Sequence, residues 1–167
     1  MAAKQQMIIF KVGDEEFAVD IMLVKEVVMM REVTPVPETA TFVEGVMNLR
    51  GLLVPVVDLR KRLRARRMAS GIERRILIVR FDERLIGLIV DGTSEVVRVG
   101  AEMVEPPPDI LREVGADYVA GIINLSERFV TLIDLRAALV GEISGALEDV
   151  MAALVARPLP VAPAQAV

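Results

Sequence analysis

The sequence predicts a mostly β protein built from two related lobes. Residues 42–63 and residues 118–139 align without a gap at an offset of 76 positions, with identical or similar residues at most of them. Short apolar runs bounded by turn residues, such as Met7–Val12 and Leu85–Val90, are typical of β-strands. A repeat at one fixed offset, combined with many short strands, favours two small barrels or a sandwich over a parallel α/β sheet.

The first half of the chain begins with a predicted β-hairpin. Met7–Val12 and Phe17–Ile21 are extended apolar segments, and the Gly-Asp-Glu-Glu sequence between them supplies a turn. A further extended segment, Leu23–Val28, precedes Pro35 and Pro37, which predict a stiff connector because proline fixes the backbone angle φ.

A second hairpin is predicted from Val46–Leu49 and Leu52–Leu59, which are joined by Arg50 and Gly51. Glycine suits the point where the chain reverses, since it adopts backbone angles that other residues avoid. Pro55 lacks a backbone N–H, so its strand is predicted to lie at a sheet edge or to carry a bulge.

The second half repeats this order of elements. Arg75–Phe81 and Leu85–Val90 form a predicted hairpin, after which Glu95-Val96-Val97 corresponds to Glu26-Val27-Val28 of the first half. Leu135–Ala156 has apolar residues at spacings of three and four, which predict an amphipathic helix.

Composition narrows the class of protein. The 167 residues are 53% hydrophobic but only 4% aromatic, which predicts an aliphatic core large enough for one domain or two joined subdomains. The sequence has neither an apolar run long enough to span a membrane nor the features of a signal peptide, so a cytoplasmic location is expected. The net charge of −4 provides no overall attraction for nucleic acid.

The chain contains no cysteine and no histidine. Their absence excludes disulfides, thiolate nucleophiles, serine–histidine catalytic sites and metal sites made of these ligands. We therefore expect no metal and no other cofactor.

The sequence resembles the CheW family of bacterial chemotaxis coupling proteins, whose domain is also the last domain of the histidine kinase CheA. The resemblance covers about residues 7–140 and rests on G-V-x-N-L-R-G-x-x-x-P-x-x-D-L-R at Gly45–Arg60 and on V-D-G at Val90–Gly92. It implies two SH3-like five-stranded β-barrel subdomains that arose by internal duplication. It also implies a non-catalytic adaptor that joins the cytoplasmic tips of chemoreceptors to the regulatory domain of CheA and approaches the membrane only through those receptors.

The repeat and the resemblance together predict the limits of each part. Lobe one is expected over about 14–75 and lobe two over about 76–140, with the N-terminal strand as a candidate to complete lobe two. A C-terminal α-helix is expected over 141–156. The Pro- and Ala-rich residues 157–167 are expected to form a disordered tail.

The resemblance implies a receptor-binding site made of Ile21, Val24, Glu26, Gly45, Asn48 and Arg50. At the tip of the copy-one hairpin stands Arg50, whereas copy two has Ser126 at the aligned position. The guanidinium group offers five donors in a rigid fork, which suits contact with a partner. The alternative is an ordinary solvated turn arginine. The kinase-contact residues are not indicated.

The extended segment before the two prolines supplies two of these residues, Val24 and Glu26. Alternation predicts that Val24 and Glu26 share one face and that Lys25 lies on the other. An apolar group beside a carboxylate would suit a partner helix. The alternative is that Ile21 and Val24 belong to the core.

Two further patterns admit other functions. Asp58 and Asp134 occupy equivalent positions in the two copies, as in a two-lobed aspartic hydrolase, but each precedes Leu-Arg and not the Ser/Thr-Gly of such enzymes. Their repetition favours a structural role at turn amides. The run Arg60–Arg67 carries six cations, which could bind nucleic acid, yet no aromatic residue interleaves them. A solvated linker between the lobes is the favoured interpretation.

Overall fold

The structure is a computed structural model that describes residues 4–36, 43–63, 74–81, 83–113 and 116–139. These residues form the strands β1 Gln5–Val12, β2 Glu15–Asp20, β3 Val24–Met29, β4 Val43–Leu49, β5 Leu52–Asp58, β6 Arg75–Phe81, β7 Arg84–Val90, β8 Gly92–Val99, β9 Val104–Glu105, β10 Val119–Asn124 and β11 Phe129–Ile133. They also form the short helices α1 Leu59–Arg62, α2 Ile110–Glu113 and α3 Leu135–Leu139. No helix among these residues is long and apolar enough to cross a membrane.

The strands form two sheets, which define the two lobes. Lobe one is a five-stranded sheet in the order β3-β6-β7-β5-β4, and lobe two is a six-stranded sheet in the order β8-β1-β2-β11-β10-β9. Most neighbours are antiparallel, but β5 pairs with β7 and β11 pairs with β2 in parallel. The mostly β fold with two duplicated barrel-like lobes, as predicted, is confirmed.

Each sheet curls so that its two edges meet. In lobe one, the segment after β3 returns to the far edge, where Thr34 and Val46 exchange two backbone hydrogen bonds of 2.8 and 2.9 Å. In lobe two, β8 runs through the 3-10 turn Ala101–Met103 into β9, which pairs with β10. The sixth strand of lobe two is therefore the counterpart of the single bridge at Thr34.

Sheet membership corrects the predicted lobe limits. Strand β2 lies in the sheet of lobe two although 14–75 was assigned to lobe one, and β6 and β7 lie in the sheet of lobe one although 76–140 was assigned to lobe two. The two halves of the chain have exchanged their first hairpins. The suggestion that the N-terminal strand completes lobe two agrees with β1, which pairs with β8 and β2.

The exchanged hairpins are buried on both faces. In β1, Ile8, Phe10 and Val12 enter a central core between the lobes, whereas Met7 and Ile9 enter the core of lobe two. In β6, alternate residues likewise divide between the central core and the core of lobe one. Burial on both faces explains why these strands are uninterrupted apolar runs. Each fully buried aliphatic side chain contributes about 1.5–3 kcal/mol relative to exposure.

Most predicted elements are found, with local differences. The first hairpin of each half forms, as β1 with β2 and as β6 with β7. Ile21 begins a 3-10 turn instead of extending β2. Pro55 lies in an interior strand and not at an edge; the ladder from β5 to β7 begins at Val56, so it requires no N–H from the proline. The predicted C-terminal helix begins as α3, while 141–156 and the tail at 157–167 lie outside the described residues.

Candidate functional site

The hairpin between β4 and β5 ends in a tight tip formed by Arg50 and Gly51. Both residues have positive φ, 51° at Arg50 and 90° at Gly51. The side-chain oxygen of Asn48 accepts a 2.7 Å hydrogen bond from the backbone N–H of Gly51. A left-handed conformation is unfavourable for arginine, so this side-chain cap helps to hold it. Asn48 therefore shapes the tip that carries Arg50.

The guanidinium group of Arg50 forms an ion pair with the carboxylate of Glu26 on β3. Nη1 donates to Oε2 at 2.8 Å and Nη2 donates to Oε1 at 2.7 Å, so the pair is bidentate. These hydrogen bonds lower the pKa of Glu26 and raise the pKa of Arg50. The Arg50 side chain stays 69% exposed, so the pair contributes little stability and mainly fixes the orientation of the guanidinium.

Gly45 has a structural explanation. Its φ is 139°, and a Cβ atom placed there would lie 1.9 Å from the carbonyl oxygen of Thr34. Only glycine lets the two backbones approach closely enough for the bridge between Thr34 and Val46. Gly45 thus helps to close lobe one. Because Gly45 is buried, its direct contact with a partner stays a prediction.

Strand β3 alternates as predicted. Val24 and Glu26 are half-buried on one face and Lys25 is exposed on the other. Val24 packs against the central core, which is the alternative considered for it, and the half-buried Ile21 begins the 3-10 turn that precedes β3. A direct contact of either residue with a receptor stays a prediction.

The structure reveals apolar exposure that the sequence pattern did not indicate. We name this set the β3 stripe; it consists of Met22, Leu23, Val27 and Met29, which are 85%, 42%, 37% and 66% exposed. Two of its members, Val27 and Met29, occupy the face of β3 opposite Val24 and Glu26, together with Lys25. Their apolar character is the signal that the sequence offers for this surface, but apolar residues in a strand are equally typical of a covered face.

Lobe two contains a counterpart of the ion pair. Arg128, which follows the copy-two tip, contacts Glu95 on β8 and lies 2.9 Å from a carboxylate oxygen of Glu16 on β2. The pKa of Arg128 is raised, first by its hydrogen bond with Glu95. The tip itself is built alike, because Asn124 accepts a 2.9 Å hydrogen bond from the backbone N–H of Ser126.

This counterpart corrects the contrast drawn between the two copies. Both lobes use a hairpin arginine to hold a glutamate on the equivalent strand, but lobe two places the arginine two positions further along. Gapless alignment compares Arg50 with Ser126 and therefore misses it. The difference that remains is one of access, since the Arg128 side chain is 39% exposed and contacts two carboxylates, whereas Arg50 is 69% exposed and holds one.

Asp58 and Asp134 do not form a catalytic dyad. Asp58 is 1% exposed, and both its carboxylate oxygens accept hydrogen bonds from the Arg60 side chain at 2.9 Å. Asp134 is exposed and accepts a hydrogen bond from the backbone N–H of Ala137 at the start of α3. No hydrogen bond joins the two carboxylates in the described part of the chain. Each caps a short helix, as the structural interpretation predicted.

The described part of the basic run is engaged within the fold. Arg60 is buried at 7% exposure between Asp58 and Asp91, Lys61 pairs with Glu44 at 2.6 Å, and Arg62 donates to the carbonyl of Ala138 at 2.8 Å. The predicted solvated linker is therefore wrong for these first cations. Residues 64–67 lie outside the described residues. No cluster of three potential metal ligands occurs in the part of the chain that the structure describes.

Comparison with known proteins agrees with this geometry. The family model described as "CheW-like domain" matches residues 6–142.

The chain belongs to the CheW-like domain family.

Relatives of this CheW-like chain match it over most of their own length. It is 32% identical over 146 residues to "Chemotaxis protein CheW" of Klebsiella aerogenes, covering 87% of this chain and 88% of that protein. It is also 32% identical over 138 residues to the protein of the same name from Rhizobium meliloti, covering 83% and 89%. The crystal structure of the scaffolding protein TtCheW from Thermoanaerobacter tengcongensis matches with a TM-score of 0.76 at 31% identity, covering 86% of this chain and 92% of that one.

Proposed function

We propose that this protein is a non-catalytic adaptor of chemotaxis that couples chemoreceptors to the histidine kinase CheA. Membership of the CheW-like domain family carries the assignment. The names of its relatives, a chemotaxis protein and a scaffolding protein, support it. An adaptor would act in the cytoplasm and reach the membrane only through the receptors it binds.

The receptor site that we propose centres on the Glu26–Arg50 pair. The pair holds the guanidinium at the hairpin tip while most of the Arg50 side chain faces solvent. Remaining N–H donors can then meet carbonyl or carboxylate oxygens on the helical tip of a receptor. Val24 would hold β3 in place by packing against the central core, and Ile21 would act from the 3-10 turn that precedes this strand.

Gly45 and Asn48 would act on this site through the backbone. Gly45 admits the close approach of Thr34 that closes the barrel, and Asn48 caps the left-handed tip. Both residues would therefore be positioning residues whose replacement displaces Arg50.

The surface that we propose for the kinase lies on lobe two. Val96 on β8 and Phe129 at the start of β11 are 48% and 65% exposed, and each adjoins a member of the Glu95–Arg128 pair in sequence. Exposed aliphatic and aromatic groups beside a fixed ion pair suit a barrel-shaped regulatory domain. Separate surfaces on the two lobes would allow receptor and kinase to bind at once.

Receptor co-sedimentation tests the proposed function. Membranes that contain a chemoreceptor are mixed with the wild type, with Arg50→Ala and with Arg128→Ala, in the presence and absence of CheA. We expect the wild type to pellet with the receptor, Arg50→Ala to bind several-fold more weakly, and Arg128→Ala to bind the receptor as the wild type does, since truncating a contact residue at an interface costs about 1–2 kcal/mol.

Arg128→Ala is the matched control because it removes a hairpin arginine that is also paired to a strand glutamate. Equal receptor binding by both variants would reject the Arg50 site. No wild-type binding to either the receptor or CheA would reject the adaptor function.

A further inference from the structure

The three residues that form the ion pairs of lobe two have structural equivalents in lobe one. Arg128 contacts Glu95 on β8 and lies 2.9 Å from a carboxylate oxygen of Glu16 on β2. We call these three residues the lobe-two trio. Strand pairing identifies the equivalent position of each one in the other lobe. The lobe-one trio consists of Leu52, Leu85 and Glu26.

The hairpin tips show that Leu52 is the equivalent of Arg128. In copy one, Leu49 pairs with Leu52 across the tip. In copy two, the backbone N–H of Leu125 donates to the carbonyl oxygen of Arg128 at 2.9 Å. The two pairs are related by the repeat offset of 76 positions. The backbones are therefore built alike, while the side chain after the tip is cationic in lobe two and apolar in lobe one.

The first hairpin of each half places Leu85 where lobe two has Glu16. Two residues separate the strands in both hairpins, β1 from β2 and β6 from β7. Glu16 is the second residue of β2, and Leu85 is the second residue of β7. The third equivalence, of Glu95 with Glu26, is the one that the sequence repeat already indicates. One carboxylate is thus common to both trios, and the other two members differ.

Leu52 continues the core-facing row of β5 beyond the core. Alternate residues of a strand share a face, so Leu52 lies on the same face as Val54 and Val56. Val54 and Val56 are 1% and 0% exposed in the core of lobe one, whereas Leu52 is 56% exposed. Leu85 on the neighbouring strand β7 is half-buried and packs against the same core. Lobe one therefore presents aliphatic carbon at this rim of its core, two positions from Arg50.

Lobe two covers the equivalent rim with charge. Val130, the equivalent of Val54, is fully buried in the core of lobe two. Beyond it, Arg128 lies between the carboxylates of Glu16 and Glu95. The lobe-two trio thus satisfies its own charges within the fold, whereas the two leucines of the lobe-one trio have no such cover.

We propose that Leu52 and Leu85 are specificity-determining residues, which direct the helical tip of the receptor to lobe one and seat one of its apolar side chains beside the Glu26–Arg50 pair. This inference rests on the proposed function and names the chemistry by which the receptor site tells the two lobes apart.

The chemistry around the two leucines indicates the occupant. Arg50 donates to Glu26 through two of its five N–H groups, so three remain for carbonyl or carboxylate oxygens of a partner. Aliphatic carbon beside directed donors suits a helix that presents an apolar side chain next to an oxygen acceptor. On lobe two the same side chain would cover the charges of the trio, and removing paired charges from water is costly.

An exchange of the differing pairs tests the inference. Leu52→Arg/Leu85→Glu gives lobe one the cation and carboxylate of lobe two, and Arg128→Leu/Glu16→Leu makes the reverse change as the matched control. Receptor co-sedimentation is measured for both variants, with circular dichroism to establish that each one folds. We expect the lobe-one exchange to bind the receptor at least about tenfold more weakly, and the lobe-two exchange to bind as the wild type does.

A single substitution keeps the test decisive if a double variant does not fold. Leu52→Ala shortens a side chain that is mostly exposed, so the fold is expected to tolerate it. We expect this variant to bind the receptor about three- to tenfold more weakly. Leu53→Ala is the matched control, because Leu53 is the neighbouring leucine on the opposite face of β5, and it should bind as the wild type does.

Failure of this inference and failure of the proposed function are distinguishable. Wild-type receptor binding by Leu52→Ala and by the lobe-one exchange would overturn the inference, while weaker binding by Arg50→Ala would leave the proposed site standing. Equal losses in the lobe-one and lobe-two exchanges would also overturn the inference, because the leucines would then not distinguish the lobes. Absence of receptor binding by the wild type would reject the proposed receptor coupling and the inference together.

Discussion

Arg50 occupies a backbone conformation that an arginine ordinarily avoids, and two of its guanidinium nitrogens donate hydrogen bonds to Glu26. The backbone angle φ of Arg50 is positive, and bidentate hydrogen bonds of 2.7 and 2.8 Å to Glu26 fix its side chain. A lysine could match the charge but not the two parallel hydrogen bonds. The residue type is therefore explained by geometry before any partner is considered.

Titration of Glu26 provides a direct measure of this pair. We expect Arg50→Ala to raise the pKa of Glu26, because hydrogen bonds from the guanidinium favour the carboxylate and lower that pKa in the wild type. A folded-state pKa below the unfolded one means that the pair stabilises the fold at pH above the unfolded value. This contribution is lost as the pH falls through the lowered pKa.

The measurement is a titration of the Glu26 carboxyl carbon followed by nuclear magnetic resonance. Arg128→Ala serves as the control, since it removes an arginine from the other lobe and should leave the pKa of Glu26 where it is. An unchanged pKa of Glu26 in Arg50→Ala would mean that the ion pair does not persist in solution.

Individual residues differ in how far the sequence reveals their roles. Resemblance and alternation singled out Glu26 and Arg50, but neither could pair them, because 24 positions separate them along the chain. The sequence did not predict the ion pair of Arg128 with Glu95, because a gapless alignment compares residues at the same position and ignores how far a long side chain reaches. The exposure of Met29 could not be predicted either, because an apolar residue in a strand gives the same sequence pattern whether its face is covered or exposed.

At the scale of elements, α1 is the junction that ties the lobes together. Asp58 ends β5 and caps α1, and Arg60 on α1 bonds to Asp58 and, at 3.2 Å, to Asp91 after β7. Asp91 in turn accepts a 2.5 Å hydrogen bond from the backbone N–H of Gly13 in the turn between β1 and β2. One buried guanidinium thus links the end of lobe one to a hairpin of lobe two.

Removal of that guanidinium is expected to be costly. Arg60→Ala leaves Asp58 and Asp91 buried without their cation, and loss of one partner from a buried charge network lowers the free energy of unfolding by about 3–5 kcal/mol. Urea unfolding followed by circular dichroism measures the loss.

The repeat offers a matched control for this variant. Arg136 occupies the equivalent position in copy two, is exposed, and lies with its guanidinium carbon 5.3 Å from the centre of the Phe81 ring. Arg136→Ala should cost no more than about 1 kcal/mol, as expected for an exposed cation–π contact. Equal losses in the two variants would show that the buried network is not what stabilises the junction.

At the scale of the whole molecule, the exchange of hairpins is the feature that local sequence predicts least. Turn residues and apolar runs predict that β1 pairs with β2 and β6 with β7, and both pairs form. They do not predict which sheet each hairpin joins, because strands that are apolar on both faces carry no orientation signal. The repeat indicated two lobes correctly and placed the boundary by chain order, which the exchange breaks.

The exchange predicts that neither half of the chain can fold alone. Residues 1–73 contain β3 and β5 but lack β6 and β7, which lie between them in lobe one. Residues 74–167 contain β8, whose sheet neighbour β1 is in the other fragment. Each fragment would leave both faces of its hairpin exposed, so we expect no cooperative unfolding transition from either one and a single transition from their equimolar mixture.

Thermal unfolding followed by circular dichroism, with size-exclusion chromatography to detect the complex, measures this complementation. The control is the full chain carrying a protease site between residues 63 and 74 and cleaved after folding, which should stay associated and unfold as one unit. A native-like cooperative transition from either fragment alone would contradict the exchange, since it would require each lobe to be completed by strands from its own half.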